Sequence, residues 1–169
     1  MKCFCLGPDF TGFPWQYYSN SARRREYKQI LYEKLREWIE ESGDKKKIFI
    51  SNLLTEADWD IAGALMHISA CDHTVSVVRE CTPGARIIIT PEDMASERQN
   101  ALKELCKLGY DNDVRDILDK INRRKIDESD SVFAVMYCGG AVEDAVCYAY
   151  EKKKRVGILK LSKYGVYRG

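Results

Sequence analysis

Two adjacent glycines, Gly139 and Gly140, have the clearest pattern for binding an anion. They follow a continuous apolar run and precede a segment with helical spacing of apolar residues. Glycines between a strand and a helix let backbone N–H groups approach an anion, and the helix N-terminus adds favourable partial charge. We therefore expect a phosphate here, with Cys138 and Ala141 in the same turn. A tight turn without a ligand is the alternative, and Glu143 would repel a phosphate placed close to it.

A second candidate binding loop follows the first apolar run of the chain. It contains Gly7, Thr11 and Gly12, and it is longer than a plain connection from a strand to a helix requires. Aromatic side chains in such a loop either stack on a base or pack the loop onto its own domain, and both alternatives stay open. The aromatic residues concerned are Trp15, Tyr17 and Tyr18.

Carboxylates supply the candidate catalytic groups. Ser51 and Asn52 end the second apolar run and are candidate ligand-binding residues, and Glu56 and Asp58 follow near the start of a predicted helix. Two carboxylates at this spacing could act as acid or base, or accept hydrogen bonds from ribose hydroxyls, and Asp58 is also a candidate ligand contact. Helix capping is the alternative for this pair. Glu143 is the third candidate catalytic residue.

Short β-rich segments alternate with helical segments along the chain. The β-rich segments are 2–6, 47–51, 85–90, 131–137 and 155–161, and their continuous apolar runs are typical of strands covered on both faces. Helices are predicted over 21–41, 57–70, 95–108, 112–124 and 142–153. This alternation implies parallel pairing with right-handed crossovers. The sequence therefore predicts an α/β, three-layer Rossmann-like fold: a mostly parallel sheet of about five strands with helices on both faces.

The predicted fold gathers the candidate residues at one place. Ligands of open α/β sheets bind beyond the carboxyl ends of the strands, so the residues that follow each strand should share that edge. Pro91, which follows the third predicted strand, is expected to join them as a ligand contact. Segment 71–84 carries no clear pattern.

Composition excludes several classes of protein. The 169 residues fit one domain spanning 1–169, and the net charge of +1 gives no global electrostatic case for nucleic acid or an anionic membrane. No signal peptide or membrane-spanning stretch is recognisable. The seven cysteines lie in or beside apolar runs without metal-ligand spacing, which predicts reduced, buried thiols. We expect a cytoplasmic protein without metal or cofactor, and a homodimer stays open as an alternative to a monomer.

Several stretches resemble one known superfamily. The run 122–135 (NRRKIDESDSVFAV) resembles the "N-x-x-M-V-D-x-S-D-x-x-I-A-V" stretch of the SLOG superfamily, which groups Rossmann-like nucleotide binders related to the DprA and LOG (lysine-decarboxylase-like) proteins. The closest branch is the YspA/YpsA-like one. Residues 139–141 are similar to its "G-G-T", and Thr11-Gly12 is similar to its "T-G-H-R". Residues 51–62 are similar to its "S-G-x-x-x-G-x-D-x-x-A-A", with Asp58 at the acidic position.

The resemblance implies a Rossmann-like fold that binds nucleotides or nucleotide-derived ligands. It implies no single reaction, because the superfamily includes sensors as well as enzymes that cleave nucleotide glycosidic bonds. Asn52 and Glu56 replace two of the family's glycines, and Ala141 replaces a hydroxyl residue. We therefore predict a sensor or binding protein for a nucleotide or ADP-ribose-like ligand. The alternatives are an N-glycosidase or transferase acting on nucleoside phosphates, and a protein-interaction domain without a ligand.

Overall fold

Residues 1–82, 85–108 and 114–167 are described by a computed structural model of the chain. Within them, seven strands form a mixed sheet accompanied by five helices, which confirms the predicted α/β class. The strands are β1 (Lys2–Leu6), β2 (Lys47–Ser51), β3 (Val75–Thr82), β4 (Ala85–Ile88), β5 (Ser131–Met136), β6 (Arg155–Ser162) and β7 (Gly165–Val166). The helices are α1 (Ala22–Ser42), α2 (Glu56–Ser69), α3 (Met94–Leu108), α4 (Val114–Asp127) and α5 (Gly140–Glu151).

The strands lie in the order β4-β3-β2-β1-β5-β6-β7. Pairing is parallel from β3 through β2, β1 and β5 to β6, so the sheet is mostly parallel as predicted. At the two ends, β4 pairs antiparallel with β3 and β7 pairs antiparallel with β6. The predicted count of about five strands is therefore wrong, because an antiparallel strand extends the parallel set on each side.

The strand β3 lies in segment 71–84, for which the sequence carries no clear pattern. Two charged residues, Arg79 and Glu80, interrupt its apolar run, and both are buried. Arg79 donates hydrogen bonds to Glu97 (2.8 Å) and Glu104 (3.0 Å) of α3. A buried charge is tolerated when it is paired and hydrogen-bonded, so partners distant in sequence allow this charged segment to be an internal strand.

The strand β4 corresponds to the third predicted strand but has a different place and direction. Its apolar run predicts an internal parallel strand, whereas β4 is an antiparallel strand at the edge of the sheet. Ile87 and Ile88 are exposed, and Ile89, just after the strand, is buried. A strand at an edge has fewer neighbours to cover its side chains, which accounts for the exposed isoleucines.

Helices cover both faces of the sheet. On one face, α1 and α2 bury Leu31, Leu35 and Ile61 in a core with the aromatic Phe49 of β2. On the other face, the core contains residues of α4 and α5 packed against β1 and β5. This arrangement leaves the loops at the carboxyl ends of the parallel strands between the two helical layers.

Most helix boundaries agree with the predicted ones. Ser21 caps α1 through a hydrogen bond from the Arg24 N–H, and Gly43 ends the helix in a left-handed conformation. The helix α4 continues three residues beyond the predicted end, to Asp127. The predicted start of α4 at Asn112 and the predicted stop of α3 at Gly109 lie outside the described residues.

The six cysteines whose side chains the structure describes divide into two groups, and the prediction for Cys81 lies outside the described side chains. Cys3 and Cys5 of β1 are buried, as predicted. The prediction of buried thiols is wrong for four others, which occupy exposed helix positions or loops: Cys71, Cys106, Cys138 and Cys147. A short apolar run on a helix includes its outer face, so proximity to apolar residues in sequence does not imply burial.

In the described part of the chain, no helix is both long enough and apolar enough to cross a membrane.

Candidate functional site

The carboxyl ends of β1, β2 and β5 meet at one edge, because these neighbouring strands are parallel. The strand order reverses between β1 and β5, since β2 lies on one side of β1 and β5 on the other. Ligands of open α/β sheets bind near such a reversal. Gly7, Asn52 and Gly139 follow these three strands, and their surroundings differ.

Gly7 is buried directly after β1, and close packing accounts for its lack of a side chain. A Cβ added there would lie 2.4 Å from the Cβ of Ala57 and 3.2 Å from that of Val135. The Gly7 carbonyl accepts a hydrogen bond of 2.9 Å from the Thr55 hydroxyl. Gly7 therefore allows the loop after β1 to approach the start of α2.

The loop that contains Thr11 and Gly12 already holds a carboxylate at its N–H groups. Asp9 precedes a single 3-10 turn, Phe10–Gly12. Its Oδ1 accepts hydrogen bonds from the backbone N–H groups of Thr11 (2.9 Å) and Gly12 (3.2 Å), and from the Thr11 hydroxyl (2.5 Å). The Thr11 and Gly12 donors, which a ligand in this loop would need, already donate to Asp9. An anion would therefore have to displace the Asp9 carboxylate.

In the predicted phosphate cradle, too, a carboxylate of the chain accepts a hydrogen bond from a backbone N–H group. Gly139 and Gly140 have φ angles of +69° and +77°, which favour glycine, and an added Cβ would contact nothing within 4 Å at either. The Gly139 N–H donates a hydrogen bond to the Glu143 carboxylate in the first turn of α5. Cys138 and Ala141 are exposed beside the turn. The backbone conformation suits an anion, but the Glu143 carboxylate already lies where a ligand phosphate would accept the Gly139 N–H hydrogen bond.

Glu56 connects three parts of the structure at the start of α2. Its Oε2 accepts a hydrogen bond from the Phe10 N–H (2.8 Å), and its Oε1 accepts one from the Tyr18 hydroxyl (2.9 Å). The Arg98 guanidinium of α3 lies 3.3 Å from Oε1. Because both carboxylate oxygens have donors and the residue is 8% exposed, Glu56 is poorly placed to accept a proton from a substrate.

The aromatic loop residues mainly pack against their own domain. The rings of Trp15 and Tyr17 lie 5.1 and 4.8 Å, centroid to centroid, from the ring of Phe13. The Tyr17 hydroxyl donates a hydrogen bond of 2.9 Å to the buried Asp60. Tyr18 alone of the three predicted aromatics is largely exposed, at 68%. Packing onto the domain is therefore the alternative that describes Trp15 and Tyr17.

Ser51 and Asn52 end β2 inside the protein. The Ser51 hydroxyl accepts a hydrogen bond of 3.1 Å from the Leu53 N–H. The Asn52 amide donates a hydrogen bond of 3.0 Å to Asn122, and its oxygen accepts one from the Lys125 ammonium. Asn52 therefore links β2 to α4 through buried polar contacts.

Asp58 is both a helix cap and a buried acid. It forms a capping box with Thr55, which is the capping alternative: its backbone N–H donates to the Thr55 hydroxyl (3.0 Å), and its Oδ2 accepts from the Thr55 N–H (3.2 Å). The other oxygen, Oδ1, is buried without a hydrogen-bond partner among the described residues. Burial raises the pKa of Asp58 to about 6, although hydrogen bonds and the charge of Lys125 oppose the rise.

Pro91 lies at the opposite edge of the sheet from the other predicted residues. The Ile89 N–H, just after β4, donates a hydrogen bond of 2.9 Å to the Val77 carbonyl in the first half of β3. The chain therefore leaves β4 at the amino edge of the parallel strands. The expected grouping of Pro91 with the other site residues is wrong, because its strand runs antiparallel.

A cavity of about 290 Å³ lies between α3, α4 and the carboxyl ends of β2 and β3. We call it the α3–α4 cavity. Its polar lining residues are Asn52, Arg79, Glu80, Glu104, Arg124 and Lys125. Its apolar lining residues are Leu54, Ala101, Leu105, Leu108 and Ile121. Of these residues, the sequence prediction included only Asn52. A concave site with an apolar wall and a few polar groups is the usual form of a small-molecule site.

Lys125 is the most unusual group in the wall of the α3–α4 cavity. Only 2% of the residue is exposed. Its Nζ donates to Asn52 and lies 6.0 Å from the centre of the Phe4 ring. Burial is the main cause that lowers the pKa of Lys125 to about 8, and the Glu80 carboxylate acts in the opposite direction. A cation is therefore held in the interior with little access to bulk water.

Arg124 precedes Lys125 in α4 and also lines the cavity. Its Nη2 is 3.7 Å from the nearest oxygen of Glu80, and its Nε is 4.0 Å from Glu128. Both distances exceed that of a normal hydrogen bond. The Nε atom is buried and has no hydrogen-bond acceptor in the described part of the chain. A buried guanidinium N–H without an acceptor is costly. Because Nε is buried, a ligand in the cavity would meet the exposed part of the Arg124 side chain, which is 36% exposed.

The spacing of apolar residues in α4 indicates from the sequence that Lys125 is buried. Ile117, Ile121 and Lys125 are spaced by four residues, so they occupy one stripe of α4. A lysine at the end of an apolar stripe lies where a core residue is expected. The basic run that contains Lys125 conceals this, because such runs are usually solvated.

Among the described residues, no three His, Cys, Asp or Glu side chains are grouped so that they could hold a metal ion. No known family model matches the chain, and no curated protein matches it at a significant level.

Proposed function

We propose that this chain binds a small, anionic, nucleotide-like ligand in the α3–α4 cavity and acts as a sensor or binding protein. The observation that carries the proposal is the Arg124 guanidinium, which lines the cavity on a side chain that is 36% exposed and lies 3.7 Å or more from the carboxylates paired with it among the described residues. A phosphate oxygen is a strong acceptor for such a donor. Lys125, directly adjacent in the wall, adds a second positive charge.

The charge of the wall favours an anion. Three lining residues are cationic, namely Arg79, Arg124 and Lys125, and two are acidic, Glu80 and Glu104. Arg79 is held by short hydrogen bonds to carboxylates of α3, so Arg124 and Lys125 are the groups suited to meet a ligand. Phosphate recognition by an arginine is directional as well as electrostatic, which favours a fixed ligand pose.

The apolar side of the cavity suits the base of a nucleotide-like ligand. Ala101, Leu105 and Leu108 of α3 face Ile121 of α4 across the cavity. A flat heteroaromatic base presents apolar faces to such a wall, while its phosphate reaches the basic residues. The volume of about 290 Å³ is at the lower end of small-ligand sites, so a mononucleotide-sized part of a ligand fits better than a large cofactor.

The strand order supports a Rossmann-like assignment of the fold. Numbered among the parallel strands alone, the order is third, second, first, fourth, fifth, which is that of doubly wound nucleotide-binding sheets. Helices on both faces give the three layers. We propose on this basis, together with the motifs at 122–135 and 139–141, that the chain is a SLOG-type domain.

The test is isothermal titration of the protein with AMP, ADP and ADP-ribose, with adenosine as the control without phosphate. We expect phosphate-bearing ligands to bind and adenosine to bind much more weakly. The variant Arg124→Gln should lose about 10-fold or more in affinity, because a hydrogen bond to a charged group contributes about 1.5–3 kcal/mol.

Arg123→Gln is the matched control, since Arg123 is exposed, is paired with Asp119 and does not line the cavity. It should bind with the affinity of the unmodified protein. Equal losses in both variants would contradict the cavity assignment. Absence of binding for every phosphate would overturn the nucleotide-like ligand.

An N-glycosidase remains a second candidate because of Asp58. Its Oδ1 has no hydrogen-bond partner among the described residues, and a pKa of about 6 is suitable for an acid or base, although Asp58 is 3% exposed and does not line the cavity. Release of free base from nucleoside monophosphates, abolished by Asp58→Asn in a folded protein, would favour the enzyme over the binding protein.

A further inference from the structure

The Lys125 amine makes fewer described hydrogen bonds than it has donors. An ammonium has three donors, and the one described side-chain hydrogen bond is to Asn52. The Nζ atom is held by that contact with Asn52, and Asn52, Arg124 and Lys125 all line the α3–α4 cavity. A ligand anchored on Arg124 would bring its neighbouring atoms next to a positioned lysine.

We propose that Lys125 forms an imine with the carbonyl carbon of a phosphorylated reducing sugar bound in the α3–α4 cavity. The ligand class is a sugar phosphate or nucleotide-derived sugar whose terminal ribose opens to an aldehyde, as in ADP-ribose. This inference rests on the proposed function, because the phosphate on Arg124 positions the aldehyde.

The step is balanced without any further reagent. The neutral amine attacks the carbonyl carbon, a C–N bond forms, and the carbonyl electron pair moves to oxygen. The proton on the attacking nitrogen moves to that oxygen and gives a neutral carbinolamine. The proton that the Lys125 ammonium released to solvent, when it became the neutral amine, then returns to the carbinolamine hydroxyl, which leaves as water, so that a protonated imine remains. The ammonium form of Lys125 and one aldehyde thus give one protonated imine and one water, with no oxidant or reductant and no change in net charge.

The surroundings of Lys125 favour the neutral amine that this step needs. Desolvation disfavours the charged form of a buried lysine, and the pKa of Lys125 is lowered to about 8. At pH 7 such an amine is neutral roughly 200-fold more often than an ordinary lysine with a pKa near 10.4. Glu80 and Asp58 face this amine with negative charge, and Arg124 and Arg79 face it with positive charge.

Asn52 is a positioning residue in this proposal. Its oxygen accepts the hydrogen bond from Nζ, and its amide nitrogen donates to Asn122. The second hydrogen bond fixes the direction of the first, so the amine is oriented before a ligand arrives. Oriented groups of this kind reduce the entropic cost of forming a covalent bond.

The experiment traps the imine by reduction. The full chain is incubated with ADP-ribose or ribose 5-phosphate and with cyanoborohydride, which reduces an imine to a stable secondary amine. Intact mass measures the number of adducts, and peptide mapping locates them. We expect one fast-forming adduct on Lys125, slowed at least 10-fold by excess AMP, which has the phosphate but no reducing carbonyl.

Two variants and a pH profile separate Lys125 from surface lysines. Lys125→Met should lack the fast adduct, and Lys120→Met, changed at an exposed position of the same helix, should retain it. In the unmodified protein the labelling rate at Lys125 should reach half of its maximum near pH 8, so the test does not depend on the folding of the Lys125→Met variant.

Equal, slow labelling of many lysines, unaffected by AMP, would overturn the proposal. If AMP and ADP-ribose bind in the titration above and yet no adduct forms on Lys125, the imine proposal fails and the proposed function stands. If neither ligand binds, the proposed function itself fails.

Discussion

Replacement of Asp58 by asparagine should flatten the pH dependence of the free energy of unfolding in the acidic range. Burial raises the pKa of Asp58 from the ordinary 3.8 to about 6 in the folded chain. The folded state therefore binds this proton more tightly than the unfolded state does. The resulting stabilisation is fully present below pH 3.8 and is lost as the pH rises through about 6.

The size of the effect follows from the two pKa values. A difference of about two pH units corresponds to about 3 kcal/mol, since each unit is worth 1.36 kcal/mol. Asp58 is 3% exposed, so solvent screens this term little. Asparagine does not ionise, and its oxygen can still accept the hydrogen bonds from the Leu54 and Thr55 N–H groups. The variant should keep the cap and lack the titration.

The assay is urea unfolding at half-unit steps from pH 4 to pH 6.5. We expect the unfolding free energy of the unmodified protein to fall relative to that of Asp58→Asn by about 2 kcal/mol across this range, which contains most of the full change of about 3 kcal/mol. Asp60, whose pKa burial also raises, titrates in both proteins and cancels in the difference. The exposed Asp116→Asn on α4 is the control and should behave like the unmodified protein. Identical slopes for Asp58→Asn and the unmodified protein would refute the assignment of a buried, titrating Asp58.

Two further outcomes are expected. Gly7→Ala should lower the unfolding free energy by about 1–3 kcal/mol through overpacking, because its Cβ would lie 2.4 Å from that of Ala57. Gly63→Ala, where an added Cβ meets nothing within 4 Å inside α2, should be neutral or stabilising by about 1 kcal/mol, and an equal loss for both in urea unfolding would contradict the packing role of Gly7. In native alkylation followed by mass spectrometry, the exposed thiols should react within minutes, whereas Cys3 and Cys5 of β1 should react only after unfolding; rapid native labelling of both would contradict their burial. The exposed thiols are those of Cys71, Cys106, Cys138 and Cys147.

The apolar pattern of the sequence was enough to predict the strands that consist of continuous apolar runs. The continuous apolar runs at β1, β2, β5 and β6 match the structure closely, and so does the cap of α1 at Ser21. The strand β3 could not be predicted from its own residues, because Arg79 and Glu80 are acceptable inside the sheet only through partners on α3 and α4. Those partners lie about 18 to 45 residues away along the chain.

The predicted site residues other than Pro91 lie at or near the carboxyl edge of the parallel strands, but the prediction did not include most of the residues that line the α3–α4 cavity. Gly139 and Gly140 have the backbone conformation that their sequence implies, and the possible conflict with Glu143 was also visible from the sequence. The sequence does not show that Glu143 turns back onto the Gly139 N–H, since that depends on the direction of the side chain. Lys125 was concealed within a basic run, although its stripe with Ile121 marked the buried side of α4.

A crystal structure of the protein with the tightest-binding adenosine phosphate tests the central claim most directly. The account predicts density in the α3–α4 cavity, with a phosphate within hydrogen-bonding distance of the Arg124 guanidinium and the base against Leu105 and Ile121. Density for the phosphate at the Gly139–Gly140 turn instead, with Glu143 displaced and the α3–α4 cavity empty, would contradict it.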